Sequence, residues 1–230
     1  MKKLKTILVL VTAMSQSACS VFGVRSEEQP KYKVVLKEGN KEIREYSPYI
    51  VATTTVDGSF DDAQGDAFRI LAGYIFGKNK SKTKIAMTSP VTRSEETKNE
   101  KIAMTAPVIM ESNEKIAMTA PVIVEPKEDK QWTMTFSMPS KYKMEDLPEP
   151  LDPRVKLKQV EGHFMASYEY SGFWSDSKRK KKAETLAKWI ASNNQYEMDS
   201  APMFAGYDPP WTLWFLRRNE ALIQLKKVND

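Results

Sequence analysis

Cysteine and histidine are almost absent from this 230-residue chain, which contains one of each. Because Cys19 has no second cysteine to pair with, the chain has neither an internal disulfide nor a multi-cysteine zinc site. His163 alone cannot build a multi-histidine metal site, and a histidine-dependent catalytic triad is disfavoured. No nucleophile motif or phosphate-binding loop is present either. The sequence therefore favours binding over covalent catalysis.

A strong imbalance of charge is also missing. The formal net charge of +5 falls to +2 once the three lysines at positions 2, 3 and 5 are set aside. Such a small charge attracts polyanions only weakly, so we expect no nucleic-acid partner. Hydrophobic residues make up 41% of the chain and charged residues 28%, which is the composition of a globular domain with a substantial core.

The amino terminus has the pattern of a secretion signal. Three lysines are followed by an apolar run at residues 6–14 and then by small residues up to Ala18, the order found in signal peptides. The apolar run is too short for a transmembrane helix, which needs roughly 20 residues. We therefore predict that residues 1–18 are a signal peptide and that the protein is exported.

Cys19 directly after the small residues resembles a bacterial lipobox, although Gln16 stands where leucine is usual. In a lipobox the thiol receives a diacylglycerol, and the acyl chains hold the protein at a membrane. We predict lipidation of Cys19, a tether at residues 19–30, and a location in the periplasm or at the outer membrane, the latter favoured by Ser20. The alternative is an ordinary cleaved signal peptide with an incidental cysteine.

Hydrophobic periodicity divides residues 31–228 into strands and two helices, as expected for one domain. Apolar residues at three- and four-residue steps predict helices at 60–76 and 176–193. Alternation and turn residues predict a terminal hairpin that turns at Asn219-Glu220 and strands at 31–36, 41–46, 49–56, 131–138, 155–160 and 163–170.

An internal duplication is concealed in this pattern. Residues 51–60 (VATTTVDGSF) align with residues 165–174 (MASYEYSGFW) at an offset of 114, and each segment is strand, glycine, aromatic residue and then helix. Gly58 and Gly172 occupy matching positions, where a sharp turn with positive φ favours glycine. Two such halves predict a sheet with pseudo-twofold symmetry, curled into a barrel with two helices packed outside.

A second repeat, Lys-Ile-Ala-Met-Thr-Ser/Ala-Pro-Val, occurs at 84–91, 101–108 and 115–122. The spacings are 17 and 14 residues, so the copies do not form a solenoid of fixed period. Each copy is predicted to form a short strand with Ile and Met on one face. Residues 92–115 are predicted to be polar connectors and a repeat insert.

This repeat resembles the signature of the SOUL family, and other features support the resemblance. They are EIREY at 42–46, the two strand-glycine-aromatic segments, GYDPP at 206–210 and RRNE at 217–220. The resemblance implies an α+β fold, a distorted antiparallel β-barrel of two pseudo-twofold halves flanked by two main helices. It also implies a relationship to the effector-binding domains of bacterial drug-sensing regulators.

The resemblance further implies non-covalent binding of heme or another apolar tetrapyrrole in a cleft beside the first helix. The expected lining is Phe68, Leu71, Ala72 and Ile75 on that helix, with Tyr207 and Trp211 near the Pro-Pro turn. For each of these residues taken singly, core packing is the alternative. Candidate partners for porphyrin carboxylates are Lys78, Lys80 and Lys82.

The sequence departs from the family at three positions linked to heme. Glu45 stands where one branch of the family is proposed to have an iron-ligating histidine, and glutamate is a poor ligand for heme iron. Gly65 and Thr212 stand where another branch has basic residues near the porphyrin carboxylates. His163 is another candidate iron ligand, but the matching family position is not a ligand, and we interpret it as a surface or edge histidine.

Other interpretations stay open from the sequence. One alternative is an envelope interaction protein that binds no small ligand. Another is a hydrolase-like or tetrapyrrole-modifying enzyme, for which a Glu and Tyr pair could come from Glu45, Tyr46, Tyr74 and Tyr207. The basic run at 178–182 fits either a solvated helix start or contact with anionic lipid. The thioethers of Met87, Met104 and Met118 would suit a copper(I) site, although core packing of these side chains is the favoured interpretation.

Overall fold

The computed structural model describes residues 26–81, 113–127 and 130–228. In these ranges a curled antiparallel sheet carries one helix against each of its halves, which confirms the predicted α+β architecture with two flanking helices. The predicted signal peptide, Cys19, the first two copies of the Lys-Ile-Ala-Met-Thr repeat and most of the predicted connector lie outside the described residues.

The two helices form where the apolar periodicity predicts them. Helix α1 spans Phe60–Ile75 and helix α2 spans Asp176–Ala191. The Ser59 hydroxyl accepts a hydrogen bond from the Asp62 amide and so caps the first turn of α1. No helix among the described residues combines the length and the hydrophobicity needed to cross a membrane.

Twelve strands are present in the described ranges, ten of them in one sheet. Their bounds are β1 Tyr32–Glu38, β2 Lys41–Tyr46, β3 Tyr49–Asp57, β4 Asn79–Lys80, β5 Val122–Pro126, β6 Gln131–Ser137, β7 Glu149–Pro150, β8 Lys156–Val160, β9 His163–Tyr170, β10 Tyr196–Met198, β11 Met203–Gly206 and β12 Asn219–Lys227. The main sheet has the order β1-β2-β9-β12-β11-β5-β6-β3-β8, with β10 beside β12. Strands β4 and β7 pair separately.

The predicted duplication is visible in this strand order. Strand β3 precedes α1 and β9 precedes α2, and each helix is followed by a neighbouring pair, β5-β6 or β11-β12. The first strand of each half is exchanged, because β2 pairs with β9 and β8 pairs with β3. The order is therefore symmetric about the β11-β5 pair, and the exchange joins both halves into one sheet.

The two faces of the sheet have different partners. Against one face, α1 packs Leu71 and Ile75 into a core with Met134 and Phe136, and α2 packs a second core in the other half. The face away from the helices, which we call the inner face, has a third cluster. Its buried members are Tyr46, Ala120, Met165, Ala205, Tyr207 and Leu222.

The predicted terminal hairpin is wrong. Residues Trp214–Leu216 form a 3-10 turn, and Asn219 begins the long strand β12 instead of a turn. Asn219 is buried, and its side-chain amide donates a hydrogen bond to the Gly172 carbonyl oxygen at 2.8 Å. The polar Asn-Glu pair that suggested a turn is thus satisfied within the sheet.

The third copy of the Lys-Ile-Ala-Met-Thr repeat also differs from its prediction. Ile116 is buried in the core beside α1, whereas Met118 is 40% exposed. The prediction that Ile and Met share one face is therefore wrong at this copy, and so is the prediction that Met118 packs in the core. The reason is that residues 115–118 lie outside the strands, so their side chains do not alternate as they would in a strand. Met87 and Met104 lie outside the described residues.

Candidate functional site

Four aromatic rings meet at the end of the inner face where β2 ends and β9 begins. Tyr46 of β2 lies opposite His163 of β9, and their rings stack with centroids 5.4 Å apart and planes 6° apart. The Tyr32 ring is 5.0 Å from Tyr46, and the Tyr49 ring is 6.0 Å from His163. The strand order explains the contacts, since β2 lies between β1 and β9. We call these four residues the tyrosine–histidine cluster.

An open depression of about 480 Å³ lies beside this cluster. Its wall includes the rings of Tyr32, Tyr46 and Pro48, and the exposed residues Lys31 and Lys33 also line it. The volume is within the range of small-molecule sites, which combine apolar surface with a few polar groups. The lining therefore combines aromatic surface with two lysines and the exposed Glu45 carboxylate.

His163 is half-buried and its side-chain contact with Glu161 is exposed, which agrees with the surface placement of the prediction. The edge placement is wrong, because β9 is flanked by β2 and β12. Its Nδ1 lies 2.8 Å from the carbonyl oxygen of Glu161. Because a carbonyl oxygen only accepts, Nδ1 of the neutral ring carries the proton and Nε2 keeps its lone pair. Within the part of the chain that the structure describes, Nε2 makes no hydrogen bond. This nitrogen is therefore suited to coordinate a metal ion.

A buried ion cluster adjoins the tyrosine–histidine cluster on the inner face. Arg44 donates two hydrogen bonds to the Glu220 carboxylate, at 2.8 and 2.9 Å. Arg218 donates to the same carboxylate at 2.6 Å, and the Tyr207 hydroxyl donates at 2.7 Å. The Arg44 guanidinium also stands 4.6 Å from the centre of the Tyr32 ring. Three sequence features of the family resemblance, EIREY, GYDPP and RRNE, thus meet in one place.

The ion cluster keeps its charges at neutral pH. Burial alone would raise the pKa of Glu220, but the hydrogen bonds and charges of Arg44 and Arg218 outweigh it, and the pKa lies below its ordinary value. Burial raises the pKa of Tyr207 well above its ordinary value, so the phenol stays protonated and able to donate. Since these charges are paired inside the protein, the cluster offers no free acid or base.

The residues predicted to line a cleft on α1 have two kinds of surroundings. Leu71, Ala72 and Ile75 are at most 8% exposed, and Leu71 and Ile75 fill the space between α1 and the sheet. Phe68 is 39% exposed, and its ring makes an edge contact with Phe136 at 5.6 Å. Of the four, Phe68 alone presents substantial surface to a ligand.

The two residues predicted near the Pro-Pro turn are in different places. Tyr207 belongs to the buried ion cluster, whereas Trp211 is 63% exposed in the loop before β12. The structure does not bring the six predicted residues together around one space, and their role in binding stays a prediction. Lys78 and Lys80 are exposed, and Lys82 lies outside the described residues.

A catalytic pair built on Glu45 is not assembled. Glu45 is exposed on β2, the Tyr74 hydroxyl donates to the Pro148 carbonyl oxygen at 2.9 Å, and the Tyr207 hydroxyl donates to Glu220. Among the hydrogen bonds of the described residues, none joins a tyrosine to Glu45. The described residues also contain no group of three or more histidine, cysteine, aspartate or glutamate side chains that could hold a metal ion.

Sequence reasoning missed Arg44, Arg218 and Glu220 as partners. Their motifs are visible in the sequence, but the pairing depends on β2 and β12 flanking the same strand, β9, which no local pattern shows. A usable signal was charge at an inward position, since Arg44 lies two residues from the buried Tyr46 and Glu220 two residues from the buried Leu222, on the same faces of their strands. A charged residue in such a strand needs a buried partner.

A family model described as "SOUL heme-binding protein" matches residues 27–99 and 109–224. Heme-binding protein 2 of Mus musculus is 25% identical over 211 residues, covering 86% of this chain and 90% of that protein. Heme-binding protein 2 of Homo sapiens is 26% identical over 190 residues, covering 79% and 80%. Heme-binding protein 1 of Xenopus tropicalis is 25% identical over 214 residues, covering 87% and 96%.

Solved structures are similar in fold at low sequence identity. The C-terminal domain of EcmrR has a TM-score of 0.52 at 11% identity, covering 86% of this chain and 99% of that domain. An uncharacterized conserved protein from Listeria innocua has a TM-score of 0.50 at 10% identity, covering 81% and 92%. At these identities the likeness concerns the fold alone.

Proposed function

Because this chain belongs to the SOUL heme-binding protein family, we propose that it binds heme or a related tetrapyrrole without covalent attachment. We further propose that it does so as an exported domain, held at a membrane by lipid on Cys19. The family and the names of its relatives supply the ligand class. The observation that supports a site is the depression beside the tyrosine–histidine cluster, which is lined by Tyr32, Tyr46 and two lysines and lies next to the stacked ring of His163.

The residues at this depression fit the needs of a tetrapyrrole. Half-buried Tyr32 offers aromatic surface for a flat apolar ligand next to the buried Tyr46, and Lys31 and Lys33 offer charges for its carboxylates. His163, whose ring stacks on Tyr46, offers Nε2 as an axial nitrogen for iron. Bound heme would supply the iron; the chain's own part is to bind, to orient and to shield one face of the ring.

A hemin titration of the full chain tests the proposed site. We expect the Soret band to saturate at a single equivalent, and His163→Ala to shift that band and the electron paramagnetic resonance spectrum because the iron loses its nitrogen ligand. Reversing two charges with Lys31→Glu and Lys33→Glu should weaken affinity several-fold. The matched control reverses the exposed Lys115 and Lys127, which lie outside the depression. Absorbance that drifts without saturating would exclude specific heme binding.

The cleft predicted beside α1 is tested in the same titration. Phe68→Ser removes the one α1 residue of that prediction with substantial exposure and leaves the buried Leu71 and Ile75 in place. If Phe68→Ser weakens hemin binding and the changes at Lys31, Lys33 and His163 do not, the ligand lies beside α1 instead of beside the tyrosine–histidine cluster.

The membrane anchor has its own experiment. The apolar run at 6–14 followed by Ala18-Cys19 supports it. Cells supplied with labelled fatty acid should incorporate the label into the wild-type protein and not into Cys19→Ser. A wild-type protein without label would contradict lipidation and leave hemin binding untouched.

A further inference from the structure

Five large apolar side chains are exposed together at the end of β9 opposite the tyrosine–histidine cluster. They follow β9 or precede β12, and we call them the aromatic patch: Phe173 (60% exposed), Trp211 (63%), Leu213 (39%), Trp214 (52%) and Phe215 (52%). The Trp214 ring lies 6.0 Å from Phe173 and 5.5 Å from Phe215. Exposed apolar residues are ordinary when scattered singly, but a contiguous group marks an interaction surface.

The protein holds this patch in an exposed conformation. Arg217, which follows the 3-10 turn, donates hydrogen bonds to the carbonyl oxygens of Thr212, at 2.8 Å, and of Pro210, and so ties the two ends of the loop together. The Arg217 guanidinium also stands 5.3 Å from the centre of the Phe173 ring. These hydrogen bonds therefore hold the loop with its aromatic side chains exposed, so the loop loses little conformational entropy on binding.

Positive charge surrounds the patch. The start of α2, directly after Phe173, has five basic residues at 178–182 and one acid, Asp176. Four of the five have partners within the protein. Arg179 is buried with its guanidinium 3.4 Å from the Phe60 ring centre, and Lys182 donates to the Tyr168 hydroxyl. Lys178 donates to the Ser171 carbonyl oxygen at 2.6 Å, and Lys180 pairs with Asp176 at 2.8 Å. Lys181 is exposed, and the hydrogen bonds of Lys178 and Arg217 to carbonyl oxygens leave their charges in place. Lys180 is also exposed, although Asp176 offsets its charge.

We propose that the aromatic patch docks onto an anionic lipid bilayer. Tryptophan and phenylalanine side chains favour the boundary between headgroups and acyl chains, and lysine and arginine beside them attract anionic headgroups. A protein partner would more often present acidic side chains to Lys180 and Lys181 and cover the aromatic rings completely. The combination of a small aromatic surface with a cationic border fits a lipid surface better.

The position of the patch is compatible with the proposed anchor at Cys19. Strand β9 separates the patch from the end of the sheet where the described chain enters, a distance of about 23 Å for seven residue steps. Nine steps from Cys19 to Glu28, which bridges to Thr119, extend at most about 30 Å. A lipid on Cys19 and the patch can thus reach one bilayer, although docking by the patch does not require the lipid.

Vesicle co-sedimentation of the full chain carrying Cys19→Ser tests the docking. The vesicles contain phosphatidylcholine alone or with added phosphatidylglycerol. The patch variant combines Trp211→Ser with Phe215→Ser, and its control combines Phe76→Ser with Leu151→Ser, which are 56% and 51% exposed outside the patch. All variants share residues 1–18, so any binding by that apolar segment cancels in the comparison.

We expect phosphatidylglycerol to strengthen binding, the patch variant to lose about tenfold in partitioning, and the control to change little. Lys180→Glu with Lys181→Glu should weaken binding to the anionic vesicles alone, as added salt should.

Equal partitioning of the patch variant and its control would overturn the proposal. A patch variant that loses hemin affinity but keeps vesicle binding would also overturn it and assign the patch to the tetrapyrrole. Vesicle binding that persists without hemin binding supports docking and contradicts only the proposed function.

Discussion

Arg44 and Glu220 are 176 residues apart in the sequence and share two hydrogen bonds in the interior. At the residue scale this pair has the largest consequence for stability, because both side chains are at most 2% exposed. Arg218 and Tyr207 complete the hydrogen bonding of the carboxylate. Removal of Glu220 would leave a guanidinium buried without its main partner, a situation that costs far more than loss of a surface ion pair.

We expect Glu220→Ala to lower the free energy of unfolding by about 3–5 kcal/mol. The matched control is Glu197→Ala, which removes an exposed carboxylate 3.2 Å from Lys226 and should cost below about 1 kcal/mol. Replacing the pair by apolar residues, Arg44→Met with Glu220→Leu, should recover part of the loss. Urea unfolding measures all three variants, and equal costs for Glu220→Ala and Glu197→Ala would refute the structural role of the ion cluster.

At the scale of elements, the two strand-to-helix connections use the same backbone device. Gly58 after β3 has φ of +125°, and Gly172 after β9 has φ of +108°. Residues with a Cβ adopt these angles only under strain, so glycine lets each strand turn sharply into its helix. Ala52 and Ala166, the aligned strand residues, are both fully buried, so the two halves match in packing as well as in turn.

Alanine substitution distinguishes these connections from an ordinary glycine. Gly58→Ala and Gly172→Ala should each destabilise the protein by about 1–3 kcal/mol through backbone strain. Gly65→Ala, in the exposed middle of α1 where an added Cβ meets nothing within 4 Å, should stabilise it by about 0.5–1 kcal/mol. Thermal unfolding of the three variants gives the comparison, and destabilisation by Gly65→Ala alone would contradict the assignment of the two turns.

At the scale of the whole molecule, buried tyrosines link stability to alkaline pH. Burial raises the pKa of Tyr49 and that of Tyr170 to about 12, and it raises the pKa of Tyr46 and Tyr207 as well. In the unfolded chain these phenols lose their protons near pH 10. Between about pH 10 and 12 the native state therefore binds more protons than the unfolded state, and stability falls as pH rises.

The free energy of unfolding should be nearly constant below pH 10 and fall clearly by pH 11. Urea titrations at pH 8, 10 and 11 measure this dependence. Tyr49→Phe removes one of the titrating groups and should flatten the slope, since phenylalanine keeps the ring and has no proton to lose. A wild-type protein that is equally stable at pH 8 and pH 11 would show that these phenols are not buried in solution.

Local pattern in the sequence was enough for several features of the fold. Both helices, the alternation of β6, the duplication at an offset of 114 and the glycine turns follow from periodicity and backbone preference, and each is confirmed. These properties depend on residues within a few positions of one another, where side-chain direction repeats every 2 or about 3.6 residues. The error at Asn219-Glu220 arose because a polar pair has the same local pattern in a turn and in a buried strand.

The sequence by itself determined that the chain has two related halves and which residues of each helix are apolar. The tertiary structure decided that the halves exchange β2 and β8, that Leu71 and Ile75 close the space beside α1, and that Arg44, Tyr207 and Glu220 meet. It also decided that Tyr46 and His163 stack beside an open depression. The physical reason is that strand pairing and burial arise from contacts between residues more than 100 positions apart, and one chain's periodicity contains no information on which distant strands pair.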